Sequence, residues 1–159
     1  MGLGAIAANR RRTPSGPPPP PRYWRMLISG SNGAGGYAGA LEIELAIAAG
    51  GADQTNGGTA FSQSAYGGLP ASAAFDGTNA DWASNHVGFP EWSGYDFGAG
   101  NGKDIVEVRW TPRVGVATSQ SPSGFDVQSS ADGVTYTNVW SVPAITGWTD
   151  GVTKIFTRP

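Results

Sequence analysis

The sequence predicts an all-β protein, a two-sheet sandwich of the jelly-roll kind preceded by an extended, Pro-rich N-terminal arm. Three observations carry that expectation. The 159 residues include 25 Gly and 12 Pro but only 14% charged residues, the composition of short strands joined by turns. Leu41-Glu42-Ile43-Glu44-Leu45-Ala46-Ile47 alternates apolar and small or acidic residues one by one, which places Leu41, Ile43, Leu45 and Ile47 on one face of a strand. Asp132-Gly133 falls between two further alternating runs, a dipeptide that accepts the positive φ of a hairpin. A chain of this length has room for one core and would be cramped by a second.

The arm comprises residues 1–22 and the sandwich residues 23–159. Five consecutive prolines, Pro17 to Pro21, lack backbone donors and favour an extended polyproline II rod. The first 25 residues hold Arg10, Arg11, Arg12, Arg22 and Arg25 and no acid; the remainder holds five basic against twelve acidic residues, a net charge of −7. An acidic body argues against a nucleic-acid groove on the body, whereas the basic arm suits a phosphate backbone or an acidic protein surface, or is a solvated tail. Gly2 to Ala8 is apolar, but its arginines follow it, the reverse of a secretory signal, and no run approaches membrane-spanning length, so no membrane insertion is expected.

Strands are expected over residues 23–28, 41–47, 59–64, 94–97, 105–111, 124–129, 134–142 and 152–157. The Gly-rich stretch Gly30-Ser31-Asn32-Gly33-Ala34-Gly35-Gly36 joins the first two as a hairpin loop; a phosphate-binding loop should instead open a helix. Without cysteine there is neither a disulfide framework nor a thiolate metal site. One histidine and no nucleophile-elbow motif point away from an enzyme, and the neighbouring Glu42 and Glu44 are read as facing solvent or a cation rather than as a glycosidase pair.

Several segments then fall into a familiar order: Leu69-Pro70-Ala71-Ser72-Ala73-Ala74-Phe75-Asp76-Gly77, Trp82-Ala83-Ser84, Pro90-Glu91-Trp92, Tyr95-Asp96-Phe97-Gly98, residues 105–113, Phe125-Asp126-Val127-Gln128-Ser129-Ser130-Ala131-Asp132-Gly133 and Gly147-Trp148-Thr149. Together they resemble the discoidin, or coagulation-factor type C, family of galactose-binding-like domains, which includes the family thirty-two carbohydrate-binding modules. In that family an Arg-Tyr-Trp-Arg strand, a Gly-rich loop and an Ala-Glu-Ile-Glu-Leu strand form the last hairpin. Here the corresponding stretch, Arg22 to Leu45, comes first, so the chain resembles a circularly permuted member of the kind found in bacteriophage virion proteins.

The resemblance implies a structural Ca²⁺ held by Asp76 and Glu42. The loop that follows Asp76 is one residue short and has Ala80 where a ligating Thr is usual, so either Asp81 substitutes as ligand or the site is lost; alternatively Asp76 only caps its own turn. It also implies a saccharide site at Arg113, Asn85 and His86, with Phe89 as the exposed aromatic, set against plainer readings of His86 as a solvated loop residue and Arg113 as a surface ion pair. Trp82, Trp92 and Trp110 are assigned to the core. The expected function is that of a non-catalytic structural or adsorption protein on the phage particle surface, in a head or tail fibre or spike. It would be anchored to other virion proteins through Arg10, Arg11, Arg12, Pro17 and Pro21, bind host surface polysaccharide, and form a homo-oligomer by analogy with phage fibres. The alternatives are an architectural decoration protein without glycan binding, and a bacterial carbohydrate-binding module.

Overall fold

The computed structural model describes residues 16–33, 35–85 and 88–159. Arg10, Arg11, Arg12 and His86 therefore lie outside the described residues. Among the described residues, ten strands follow one another: β1 (Tyr23–Ser31), β2 (Gly39–Ala40), β3 (Glu42–Ala46), β4 (Thr59–Ser62), β5 (Trp82–Ala83), β6 (Glu91–Asp96), β7 (Glu107–Thr111), β8 (Pro122–Ser130), β9 (Thr137–Val142) and β10 (Lys154–Thr157). A 3-10 turn, Ala71–Phe75, and one short helix, α1 (Ala117–Gln120), interrupt them. The strands form an antiparallel five-stranded sheet in the order β4-β6-β1-β8-β9, a three-stranded sheet β10-β7-β3, and a small β2-β5 ribbon.

Two-residue periodicity explains why β1 runs through the middle. Trp24, Met26 and Ile28 are buried on its inner face while Tyr23, Arg25 and Leu27 look outward, and both of its edges are hydrogen-bonded, to β6 and to β8. From the opposite sheet β3 contributes Ile43 and Leu45, and β7 contributes Val108 and Trp110, to the same core. Aromatic contacts join the sheets directly. Phe125 on β8 stacks on Trp110 of β7 at 6.0 Å between centroids and meets Phe156 of β10 edge to face at 5.2 Å.

Several sequence expectations are corrected. β1 and β3 are not a hairpin: they belong to different sheets and face each other across the core, because each presents one apolar face and both faces must be buried. Alternation holds at Ile43 and Leu45 but ends at Ala46, which is buried and whose carbonyl accepts Val106 N–H; beyond it Ile47 is 50% exposed. The β8-β9 hairpin exists, but its connection spans residues 131–136, so β9 begins at Thr137. The Asp132 carboxylate organises the connection by accepting the N–H groups of Val134 and Thr135 and the Ser130 hydroxyl. Trp82 and Trp110 are core residues as expected, whereas Trp92 is half-buried on the outer face with Arg25 above it.

Pro17 is exposed, but the C-terminal end of the proline run rests on the body. Lys103 N–H donates to Pro21 O, and Gly102 lies so close to Pro20 that a Cβ there would come within 2.1 Å of the Pro20 carbonyl oxygen. Arg22, next in sequence, grips Asp96 with two hydrogen bonds, 2.5 Å from Nε to Oδ1 and 2.6 Å from Nη2 to Oδ2. At the other end of the chain, Arg158 N–H donates to Val106 O and its guanidinium pairs with Asp104, so residues 20–21 and 157–158 meet the same 101–107 segment.

The Arg22 contact has a pH signature. Hydrogen bonding to the guanidinium holds the Asp96 carboxyl below its ordinary 3.8, with Gly98 N–H adding to the effect. Because the folded pKa is depressed, the stabilisation is fully present above about pH 3.8 and disappears as the pH falls through the lower folded value. Urea midpoints measured from pH 2 to 6 should therefore show an acid-side loss of stability that is smaller in Asp96→Asn than in the unaltered chain.

Candidate functional site

At one end of the sandwich, the β2-β5 ribbon, the 63–70 loop, the end of β7 and α1 enclose a hollow of about 320 Å³. Tyr37, Tyr66, Leu69, Ser84, Arg113 and Gln120 line it. The enclosing segments are tied together. Tyr66 N–H donates to Ala83 O, Ser84 N–H to Ala38 O, Ala38 N–H to Ser84 Oγ and the Trp82 indole to Ser64 O, at 2.8, 2.8, 2.9 and 3.1 Å. Gly39 makes the arrangement possible, since a Cβ at that position would stand 2.7 Å from Arg113 Cδ and 3.2 Å from Gln120 Oε1.

Arg113 leaves β7 through Thr111 and the buried Pro112 and turns into this hollow. Its Nε donates to Asp81 Oδ2 at 2.5 Å and its Nη1 to Gln120 Oε1 at 2.6 Å, which fixes the planar guanidinium at both ends. The Asp81 carboxylate cancels its charge locally. Such a site offers oriented donors and acceptors, with two tyrosine rings beside them and no net charge, and so suits neutral hydroxyls more than an anion.

Of the residues the sequence singled out for a saccharide, the structure brings Arg113 into the hollow. Asn85 is exposed, immediately beyond Ser84 of the lining, and its backbone N–H donates to Ser64 Oγ. Phe89 is half-buried and packs against the core, so it is not the freely exposed ring that was expected. Tyr37, Tyr66 and Gln120 were missed. Tyr66 did leave a signal, a large aromatic followed by Gly67-Gly68 within a stretch of small polar residues, and it is 54% exposed.

The cation candidates divide. Glu42 Oε2 accepts Gly77 N–H at 3.0 Å, which sets it against the Asp76 loop, while Asp76 Oδ1 accepts Thr78 N–H at 2.9 Å and so closes its own turn. Burial pushes the Glu42 carboxyl up to about 7 against the opposing pull of Gly77 N–H, and the negative charges of Asp76, Asp53 and Glu44 push the same way. Two carboxyl groups facing one turn, one of them destabilised as an anion, form a donor set that a hard cation would satisfy. Asp81, the expected third ligand, is instead paired with Arg113, and Glu44 is paired with Arg109 at 2.7 Å. Among the described residues, no group of three or more His, Cys, Asp and Glu side chains converges as a metal-binding cluster, and no helix is long and apolar enough to cross a membrane.

Compared with known proteins, residues 57–159 match the family model of the F5/8 type C domain, whose members are typically non-catalytic binding modules. No curated protein and no solved structure matches the chain. The matched span contains β4 to β10; β1 to β3 precede it in sequence but complete both of its sheets. A match over well more than half the chain, on a two-sheet scaffold with loops enclosing a polar and aromatic hollow at one end, establishes that the chain belongs to the F5/8 type C (discoidin) domain family and is a carbohydrate-binding-type module.

Proposed function

We propose that this protein is a non-catalytic adsorption component of a bacteriophage particle, binding a saccharide of the host surface in the Arg113 hollow and joined to other virion proteins through its basic arm. The observation that carries the saccharide reading is the fixed guanidinium of Arg113 between Asp81 and Gln120, beside Tyr37 and Tyr66. Sugars present C–H faces to aromatic rings and hydroxyls to planar hydrogen-bonding groups, and this lining supplies both. A volume of about 320 Å³ lies at the small end of ligand sites and suits a single or terminal sugar unit.

The phage reading draws its support from the order of segments and from the charge split between arm and body. The proline run ends docked against Gly102 and Lys103, and the arginines that precede it in sequence have the charge to suit an acidic surface on another subunit. A decoration protein that uses the sandwich only as a rigid block is the second reading, favoured by the ion pair that already occupies Arg113.

We also assign Glu42 and Asp76 as the residues that would hold a structural Ca²⁺, which would supply positive charge between two carboxyl groups and pin the 76–81 loop to β3.

Three measurements test these assignments. On a glycan array, the chain should bind host-surface saccharides; Tyr66→Ala should abolish binding without lowering the melting temperature, since the ring is 54% exposed. Arg113→Ala should abolish binding too, and cost about 1–3 kcal/mol because Asp81 loses its partner. A protein that binds no host glycan is the architectural block. For the cation, Ca²⁺ at about 100 times its Kd should raise the melting temperature by roughly 5–10 °C over the EGTA-treated protein, and Glu42→Gln should remove the difference; equal melting with and without Ca²⁺ would refute the assignment. Finally, a chain lacking residues 1–16 keeps every docked proline and should fold, but should be absent from purified particles; incorporation at normal copy number would rule out the arm as anchor.

A further inference from the structure

A second surface, sharing no lining residue with the Arg113 hollow, has the marks of a ligand site. The outward-facing side of the five-stranded sheet carries Tyr23 and Arg25 from β1, Phe61 from β4, Trp92 from β6, and Tyr136 just before β9, all half-buried. Gly94 opposes both Arg25 on β1 and Phe61 on β4, and without a side chain there Phe61 lies across the strand and meets Tyr23 edge to face at 6.4 Å. Tyr23, Phe61 and Tyr136, together with Thr59, Asp96 and Gly133, enclose a shallow hollow of about 230 Å³.

Arg25 stands beside this hollow. Its guanidinium lies 3.8 Å from the centre of the Tyr136 ring and 5.0 Å from that of Trp92, and its Nε donates to Gln128 Oε1 at 2.8 Å. Arg22, Arg109, Arg113 and Arg158 each have a carboxylate partner; Arg25 alone among the described arginines has none. Packing between the rings strips water from it and draws its pKa down from the ordinary value. Asp96, the carboxylate within the hollow, is already held by Arg22. A partly desolvated cation with free N–H groups, set among flat aromatic faces, is complementary to a ligand with one carboxylate per flat, C–H-rich ring.

We propose that this sheet face binds an acidic saccharide chain built from uronate units, with Arg25 pairing the carboxylate and Tyr23, Phe61 and Tyr136 receiving the pyranose rings. The site is separate from the Arg113 hollow, takes a charged chain where that hollow takes a neutral unit, and does not depend on it.

The test uses the full isotope-labelled chain titrated with trigalacturonate, and with neutral galactotriose as the comparison. Trigalacturonate should shift amide resonances of residues 23–27, 92–96 and 126–138 saturably, and galactotriose should leave that face unmoved. Arg25→Gln should raise the Kd for trigalacturonate about tenfold or more, and Arg25→Lys, which keeps the charge but not the planar fork, should fall between. Tyr66→Ala separates the two sites: it should lose neutral glycan binding and keep the uronate-dependent shifts. The proposal is overturned if trigalacturonate and alginate and hyaluronan oligomers at about 10 mM all leave the face unmoved. It is equally overturned if Arg25→Gln binds as tightly as the unaltered chain, if the shifts map to the Arg113 hollow, or if an oligothymidylate competes the uronate away with the higher affinity.

Discussion

Burial of Trp24, Met26 and Ile28 from a strand hydrogen-bonded along both edges is the constraint on which the molecule depends. Each such side chain contributes about 1.5–3 kcal/mol on transfer from water, and all three come from alternate positions of a single strand. β6 and β8 do not touch each other in the five-stranded sheet; β1 is what joins them. Losing β1 would leave two unpaired inner edges and uncover Phe125, whose contacts to Trp110 and Phe156 tie the second sheet to the first. The indole of Trp24 reaches further still, donating to Lys103 O in the segment where both ends of the described chain come together.

The same strand determines what the outer surface offers. Because the pleat alternates, whatever holds the core on one side exposes its neighbours on the other, so Tyr23 and Arg25 are outward because Trp24 and Met26 are inward. The other described arginines are held by carboxylates: Arg109 bridges Glu44 and the buried Glu107, Arg113 holds Asp81, Arg22 holds Asp96, and Arg158 holds Asp104. Glu107 is 2% exposed, and its carboxyl stays below the usual range despite burial because Gly50 N–H, Arg109 and Thr157 all donate to it.

The fold was readable from the chain because its signals are local. Alternation marks β1 and β3, Asp132-Gly133 marks the β8-β9 connection, and the ordered tryptophan and turn segments give the family over 57–159. Pairing was less readable. Nothing in residues 23–47 says whether two consecutive strands lie side by side or face each other across a core, since both arrangements bury the same residues. Of the site candidates offered by the sequence, Arg113 lines the hollow and Glu42 meets the Asp76 turn through Gly77 N–H. Asp81 was assigned to a cation because its neighbours in sequence suggested one, but an arginine 32 positions away reaches it first. Tyr37 and Gln120 come from segments far apart in the chain and become neighbours only when β2 and α1 close on the end of β7.

The contact between Pro20 and Gly102 also governs how the sandwich is carried. Were the prolines joined to the body by a pliant hinge, whatever held residues 1–15 would leave the sandwich to swing at random. With Pro20 and Pro21 seated on the body, and a polyproline II run rising about 3.1 Å per residue, anything that held the chain ahead of Pro17 would carry the sandwich on a short stiff stalk whose bearing is set at its base. Neighbouring copies mounted this way would present their outer sheet faces in register, so that one long polymer could engage several at once and dissociate far more slowly than from any single copy.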